Sequence, residues 1–504
     1  MKVIDTGKPI DVLFIAEGTY PYIRGGVSTW IHQIITGMED INFGVLFLGS
    51  REEDYEGIRY ELPQNLVYLE SFFMFSELDY PPPRYSQGSY KVEKLKSFFI
   101  EGGDIPDEIV DIGYYTEEVP FEELLYGKKT WDMLEELYLE TDVDIPFVDF
   151  FWTMKNIFSP LWVLVRAADS LRDWRISLVH CPSTGYAGFL GALLRKSMGI
   201  PYIVTEHGIY TRERKIDILN SRWIKEVSHM SVDKYDIDSL KKLWINFFVN
   251  IGKACYLHAD RVYSLFEGAR NIQIRLGCPE DKTGVIPNGV EISRYAPVRK
   301  FRSRKPVPRI ALIGRVTPIK DVKTFIKSMK LLLNDMPEVE GWVVGPEDED
   351  PVYAQECKMM VKALGIENKV KFLGFMRTEE VFREVGITTL TSISEGMPMV
   401  VLESFAAGVP CVTTDVGSCR QLIYGGLNEE DIKIGSAGEV VPVGDPKALA
   451  EAYKRVLRDE DLMNRYSEAA VKRVERFYSY DRFIENYRNV YLSFMEAGVG
   501  RDIH

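Results

Sequence analysis

The chain has 504 residues, 46% hydrophobic and 27% charged, the make-up of a globular protein with room for two or three domains. Its formal net charge of −14 argues against nonspecific nucleic-acid binding, although it leaves room for a local basic cleft that holds a diphosphate. No apolar run reaches membrane-spanning length, and the N-terminal residues lack the apolar core of a signal peptide. The six cysteines (Cys181, Cys255, Cys278, Cys357, Cys411, Cys419) form no CxxC pair, so a cytoplasmic chain with reduced thiols is expected.

Residues 10–16 (IDVLFIA) are a near-continuous apolar run, the pattern of a parallel strand covered on both faces. The turn EGTYPYIRGGV leads into a helix over 28–38. Gly25 and Gly26 there suit a backbone that closes on an anion, or simply a tight turn. The pattern is not GxGxxG, which disfavours an NAD-dependent dehydrogenase. Residues 43–48 are a second strand. From 51 to 159 the strand–helix rhythm is lost in a stretch rich in Tyr, Phe, Glu and Pro. It reads as an insertion in the first domain, either an acceptor- or partner-binding surface or a stiff structural excursion. Asp142 and Asp144 form an Asp-x-Asp, and 347–350 (EDED) an acidic run, but neither has the context of a metal site and no catalytic metal is expected.

The alternation resumes with strand 177–181, helix 185–198 and strand 202–205, which ends in Glu206-His207-Gly208. A histidine at the carboxyl end of a strand stands where open α/β sheets bind ligands; His207 either meets a ligand there or caps its loop. His32, His180, His229 and His258 read as packing or surface residues. Helix 240–257, strand 259–264, helix 268–276 and strand 284–286 follow. Residues 297–308 (PVRKFRSRKPVP) are basic and proline-flanked, the composition of an interdomain linker. A strand over 309–313 opens the second domain and leads to Arg315 and Lys320. The first can fork onto phosphate oxygens and the second supplies a mobile point charge, so together they can neutralise a diphosphate without a metal. Strands at 341–345, 369–373, 387–391, 409–413 and 440–443 continue the series, and helices over 447–458, 461–477 and 481–495 close it.

The most informative stretch is 391–408, TSISEGMPMVVLESFAAG. It reads as a strand end, a loop carrying Glu395, and a helix starting near Pro398 with Glu403 about one and a half turns inside. A lone carboxylate in so apolar a helix wants donors, which the paired hydroxyls of a sugar or ribose would supply; a solvated Glu403 is the plain alternative.

This Glu-x7-Glu stretch, with its SEGMP and ESFAAGVPCV flanks, resembles the signature of the retaining, nucleotide-sugar-dependent glycosyltransferases of family GT4. That resemblance implies a GT-B fold, α/β, with two Rossmann-like doubly wound domains facing across a cleft. It implies an acceptor-side domain over 1–296 (insertion 51–159), a linker at 297–308 and a nucleotide-sugar domain over 309–479. A C-terminal helix, 480–504, is expected to cross back to the first domain. Arg315 and Lys320 match the pair that binds the donor diphosphate, Glu395 the residue that holds the donor sugar, Glu403 the ribose ligand, and His207 a donor-sugar contact. Gly25 and Gly26 match a phosphate-facing loop, Phe375 lies in a loop that meets the nucleobase, and Gly396 and Met397 belong to the donor loop. Glu291 stands where the family usually has Asp.

VLFIAEGTYPYIRGGVSTW, TEHGIYTRER and the long insertion look closer still to the PelF glycosyltransferases of the bacterial Pel exopolysaccharide system. This implies a UDP-sugar donor (UDP-N-acetylhexosamine or UDP-glucose), a polysaccharide acceptor, no cofactor, and recruitment to inner-membrane Pel proteins. A UDP-sugar epimerase on the same fold and a noncatalytic sugar-nucleotide-binding scaffold are the rival readings.

Overall fold

The structure, a computed structural model, describes residues 2–75, 84–141, 143, 145–220, 239–303 and 305–499. Asp142, Asp144, His229 and the prolines at 81–83 lie outside these. The chain divides into two compact units, one of residues 1–264, 270–284 and 487–504, the other of 265–269 and 285–486.

The first unit is built on β1 (Lys2–Asp5), β2 (Ile10–Glu17), β3 (Phe43–Gly49), β4 (Leu66–Phe73), β5 (Ile176–Cys181), β6 (Tyr202–Glu206), β7 (Arg261–Ser264) and β8 (Thr283–Val285). Their order in the sheet is β1-β4-β3-β2-β5-β6-β7-β8. β1 runs antiparallel along β4, whereas β2 to β7 pair in parallel. Helices cover the sheet, so β2 and β3 need apolar residues on both faces; every residue of β3 is buried.

β4 corrects the reading of 51–159 as a continuous insertion, because a full strand of the sheet lies within it. Glu70 and Ser71 interrupt its apolar run and hid it; Glu70 is buried and accepts a hydrogen bond from the Tyr68 hydroxyl. The described residues of the remainder pack against the sheet. Phe98, Phe99, Leu134, Phe150 and Phe158 join the same core as the sheet.

The second unit carries β9 (Arg309–Ile313), β10 (Glu340–Val344), β11 (Val370–Gly374), β12 (Ile387–Leu390), β13 (Cys411–Thr414) and β14 (Gly438–Val441) in the order β11-β10-β9-β12-β13-β14, all parallel. This is the doubly wound order, in which the direction of winding reverses between β9 and β12. In the first sheet the same reversal falls between β2 and β5.

The basic stretch at 297–308 is not an open linker. Residues Ala296–Phe301 form a short helix of the second unit with Val298 buried. Arg299 Nε donates to the Ala406 carbonyl (2.7 Å) and Arg302 Nη1 to that of Val385 (3.0 Å). Its cations satisfy carbonyls, a use that composition does not reveal. The continuous part of that unit accordingly begins at Val285, ahead of 297. Helix Tyr480–Val499 contributes its residues up to Asn486 to the second unit and the rest to the first. There Tyr487 and Tyr491 are buried; Tyr491 Oη and His180 Nδ1 lie 2.8 Å apart, and His180 Nε2 is 2.8 Å from Thr205 Oγ1.

Candidate functional site

Where winding reverses, the loops leaving adjacent parallel strands diverge and expose a crevice at their carboxyl ends. At the reversal in the second sheet, β9 delivers Gly314–Lys320 and β12 delivers Thr391–Glu395. The first loop is pinned from behind: Gly314 N donates to the Val344 carbonyl (2.8 Å) and Val316 N to that of Pro346 (2.9 Å). It ends at Asp321, in the left-handed region (φ 45°), whose side chain accepts from Thr324 N (3.2 Å) and caps helix Val322–Leu332. Thr391 Oγ1 donates to the Lys320 carbonyl (2.8 Å) and Ile393 N to that of Ile319 (2.9 Å), tying the two loops together.

This backbone aims two side chains at each other. Lys320 Nζ donates to Glu395 Oε1 at 2.6 Å, and Ser392 Oγ donates to the same oxygen at 2.6 Å. The pair is four-fifths or more shielded from solvent, so it is electrostatically stronger than a surface pair. The Glu395 loop is itself held by Gly417 (φ 52°): Ser418 N donates to the Gly396 carbonyl (2.9 Å). A Cβ on Gly417 would lie 2.3 Å from both the Glu395 and Gly396 carbonyl oxygens, so only glycine fits.

Glu403 sits on helix Met399–Ala406, flanked by buried Val401, Leu402, Phe405 and Ala406. Burial raises its carboxyl pKa, partly offset by a hydrogen bond from Tyr295 and the charge of Arg294. The Tyr295 hydroxyl is also 3.2 Å from Thr378 Oγ1, and Arg294 Nε donates to Glu379 Oε1 at 2.6 Å. Glu403 is therefore a half-buried carboxylate with Tyr295, the Arg294 cation and the Glu379 carboxylate as neighbours, and it is not a solvated surface glutamate.

Other expected residues stand differently. Arg315 is half exposed and pairs with Glu349, not with the Lys320–Glu395 group. The acidic run at 347–350 is satisfied locally: Glu347 pairs with Lys358, and Asp350 caps helix Pro351–Ala363 through Tyr353 N. Phe375 is exposed (82%). Met397 is buried in the core of the second unit, so its side chain packs, while Gly396 contributes its carbonyl to Ser418.

In the first unit Gly25 and Gly26 lead into helix Gly26–Gly37 with open space where side chains would be. Gly25 is extended (φ 177°), so neither the backbone nor a neighbour within the unit demands glycine at these positions. His207 stands at the end of β6 with the Trp30 ring edge-on (4.6 Å between centroids). Burial pushes its pKa down to about 3, so the ring is neutral, and Nε2 finds no hydrogen-bond partner among the described residues. Neighbouring Glu206 anchors the strand end, its buried carboxylate accepting from Thr184, Tyr256 and Gln273.

Sequence reading missed Thr391, Ser392, Asp321, Arg294 and Tyr295. The hydroxyls of the first two were visible at a strand end beside a carboxylate. Nothing local announced Arg294 and Tyr295, which reach Glu403 from more than a hundred residues away. Among the described residues, no group of His, Cys, Asp and Glu is placed to hold a metal ion.

Two parallel doubly wound sheets with loops paired at the winding reversal define a two-domain α/β chain of the GT-B glycosyltransferase fold. The chain belongs to the family of the domain of unknown function DUF3492, which matches residues 10–281, and residues 297–473 match glycosyl transferases group 1. A D-inositol 3-phosphate glycosyltransferase of Streptomyces coelicolor is 27% identical over 228 residues, 39% of this chain and 47% of the relative. An exopolysaccharide phosphotransferase of the same organism is 31% identical over 206 residues, 40% of this chain and 20% of that one. The chain thus spans half or less of these curated relatives. Among solved structures, Anabaena HepE in complex with UDP and glucose aligns over 96% of this chain and 99% of its own, with TM-score 0.56 and 15% identity. That likeness concerns the fold.

Proposed function

We propose that the chain is a retaining, metal-independent glycosyltransferase that takes a sugar from a UDP-sugar and adds it to a growing exopolysaccharide of the Pel type. The observation that carries this reading is the shielded Lys320–Glu395–Ser392 group at the winding reversal, with Glu403 half-buried on the helix that follows. A cation held by a carboxylate is positioned in advance yet can exchange its partner for a diphosphate. Glu395 then has lone pairs for donor-sugar hydroxyls, and Glu403 accepts from the ribose diol. Arg315, an exposed side chain, swings from Glu349 to the diphosphate. Phe375 and the Gly396 backbone flank the nucleotide. In the first unit, Gly25 and Gly26 give a backbone that phosphates can approach, and neutral His207 bonds a sugar hydroxyl.

With the leaving group neutralised, the acceptor hydroxyl attacks on the face that UDP leaves, and a diphosphate oxygen takes its proton. No protein nucleophile is needed. UDP and glucose in HepE, and the exopolysaccharide in the name of one relative, support the choice of donor and product. Work at the cytoplasmic face with inner-membrane Pel proteins belongs to the same proposal; no helix among the described residues is long and apolar enough to cross a membrane.

Calorimetric titration with UDP, UDP-glucose, UDP-GlcNAc and UDP-GalNAc, without metal, tests it. Uridine-specific binding lost in Glu403→Ala and Lys320→Ala is expected, as is turnover unchanged by EDTA. Failure of every uridine nucleotide to bind the wild type, or a strict demand for Mn²⁺, overturns it.

A further inference from the structure

At the winding reversal of the first sheet, between β2 and β5, lies a cavity of about 400 Å³, within the size range of small-ligand sites. Glu17 and Gly18 reach it from the end of β2, Ser50 from the end of β3, and Tyr186 from the first residue of helix Tyr186–Met198, just beyond β5. Tyr186 is 3% exposed, yet its hydroxyl has no hydrogen-bond partner among the described residues. A buried hydroxyl left in that state is costly unless something that enters the cavity answers it.

Glu17 is the second polar feature, with its side chain 8% exposed. Oε1 accepts from the Tyr210 hydroxyl (2.7 Å) and Oε2 from Ala187 N (3.2 Å), so each oxygen keeps a lone pair. Arg214 is committed on three sides: to Glu17 (3.7 Å), to Asp217 (3.6 Å) and, through Nε, to the Tyr210 hydroxyl (3.1 Å). The charged groups lining the cavity are thus two carboxylates and one guanidinium already shared between them, a field that repels a phosphate or carboxylate. Tyr55 and Phe248 add aromatic faces to the wall.

We propose that this cavity is a recognition subsite for an unphosphorylated sugar ring at the end of the acceptor, an inference that rests on the glycosyltransferase reading above. Glu17 accepts from ring hydroxyls, Tyr186 donates to a ring or hydroxyl oxygen, and the aromatic faces pack on C–H groups. The subsite therefore selects acceptors by their neutral hydroxyl pattern and rejects phosphorylated ones.

Tyr186→Phe is a clean probe, because it deletes a hydroxyl that has no partner among the described residues and keeps the ring that packs. Ligand-observed saturation-transfer NMR on the full chain is read with glucose, N-acetylglucosamine and N-acetylgalactosamine oligosaccharides and with glucose 6-phosphate. UDP binding is measured in parallel. At least one neutral oligosaccharide is expected to bind the wild type and to bind Tyr186→Phe about tenfold more weakly, with glucose 6-phosphate silent and UDP affinity equal in both. Absence of binding by every neutral sugar, equal sugar affinity in wild type and Tyr186→Phe, or binding of glucose 6-phosphate as tight as that of the neutral sugars overturns the subsite. Sugar binding that behaves as expected while UDP fails to bind would overturn the proposed donor and leave the subsite standing.

Discussion

Glu403 and His207 are ionisable groups in which burial favours the neutral form, so their pKa values move in opposite directions. Burial raises the Glu403 pKa above 4.5, so the folded state holds that proton more tightly than the unfolded chain does. Above the carboxylate range the buried charge costs stability, and the cost grows as pH rises from about 4.5 through the folded pKa. Glu403→Gln is therefore expected to raise Tm, by more at pH 7 than at pH 4, while weakening UDP binding. Thermal melts at the two pH values check the sign. For His207, with a folded pKa of about 3 against 6.5, the unfolded chain binds the extra proton as pH falls. Stability is lost from about pH 6.5 down to 3, and His207→Gln should flatten that part of the profile. Lys320→Ala removes the partner of a shielded carboxylate; a loss of about 1–3 kcal/mol in urea unfolding is expected, alongside lost turnover.

At the scale of elements, the site depends on turns that carry no catalytic atom. Asp321 holds a left-handed conformation and caps helix Val322–Leu332 at once. Asp321→Ala loses both the cap and the tolerance of an Asp side chain for that conformation, about 2 kcal/mol together, whereas Asp321→Asn keeps both. Denaturant midpoints of the two variants should differ accordingly. Gly417→Ala drives a Cβ against the Glu395 and Gly396 carbonyls and must displace the loop. A displacement on the order of 1 Å costs about a hundredfold in turnover; wild-type kinetics in this variant would show that the loop's placement does not matter. Some of these elements were legible beforehand. Residues 391–408 announced a strand end, a Glu-bearing loop and an apolar helix, because proline at a helix start and an unbroken apolar face are local signals. β4 was not legible, since Glu70 is buried there by a partner, Tyr68, whose effect no hydropathy pattern contains.

At the scale of the molecule, the last helix supplies the first unit with Tyr487 and Tyr491, which enclose His180 and lie against Trp30 and Phe43. A chain ending at Asn486 leaves His180 without its tyrosine partner and uncovers those rings. Its first unit should melt well below the second, splitting one calorimetric transition into two; a single unchanged transition would refute this role for the helix.

Local chemistry written in the chain was enough to give a strand–helix alternation, the loops that bear Lys320, Glu395 and His207, and the apolar helix that carries Glu403, while the two doubly wound sheets were implied by the family resemblance. Period, turn residues and strand-end position are properties of neighbouring residues. Only the tertiary structure decided that Lys320 faces Glu395 while Arg315 faces Glu349, that Tyr295 and Arg294 reach Glu403, and that Tyr186 stands beside Glu17 with its hydroxyl unpartnered among the described residues. Those pairings join residues tens to hundreds of positions apart. Lys320 and Glu395 in the second sheet, and Glu17 and Tyr186 in the first, come from segments that strand order places on either side of a winding reversal.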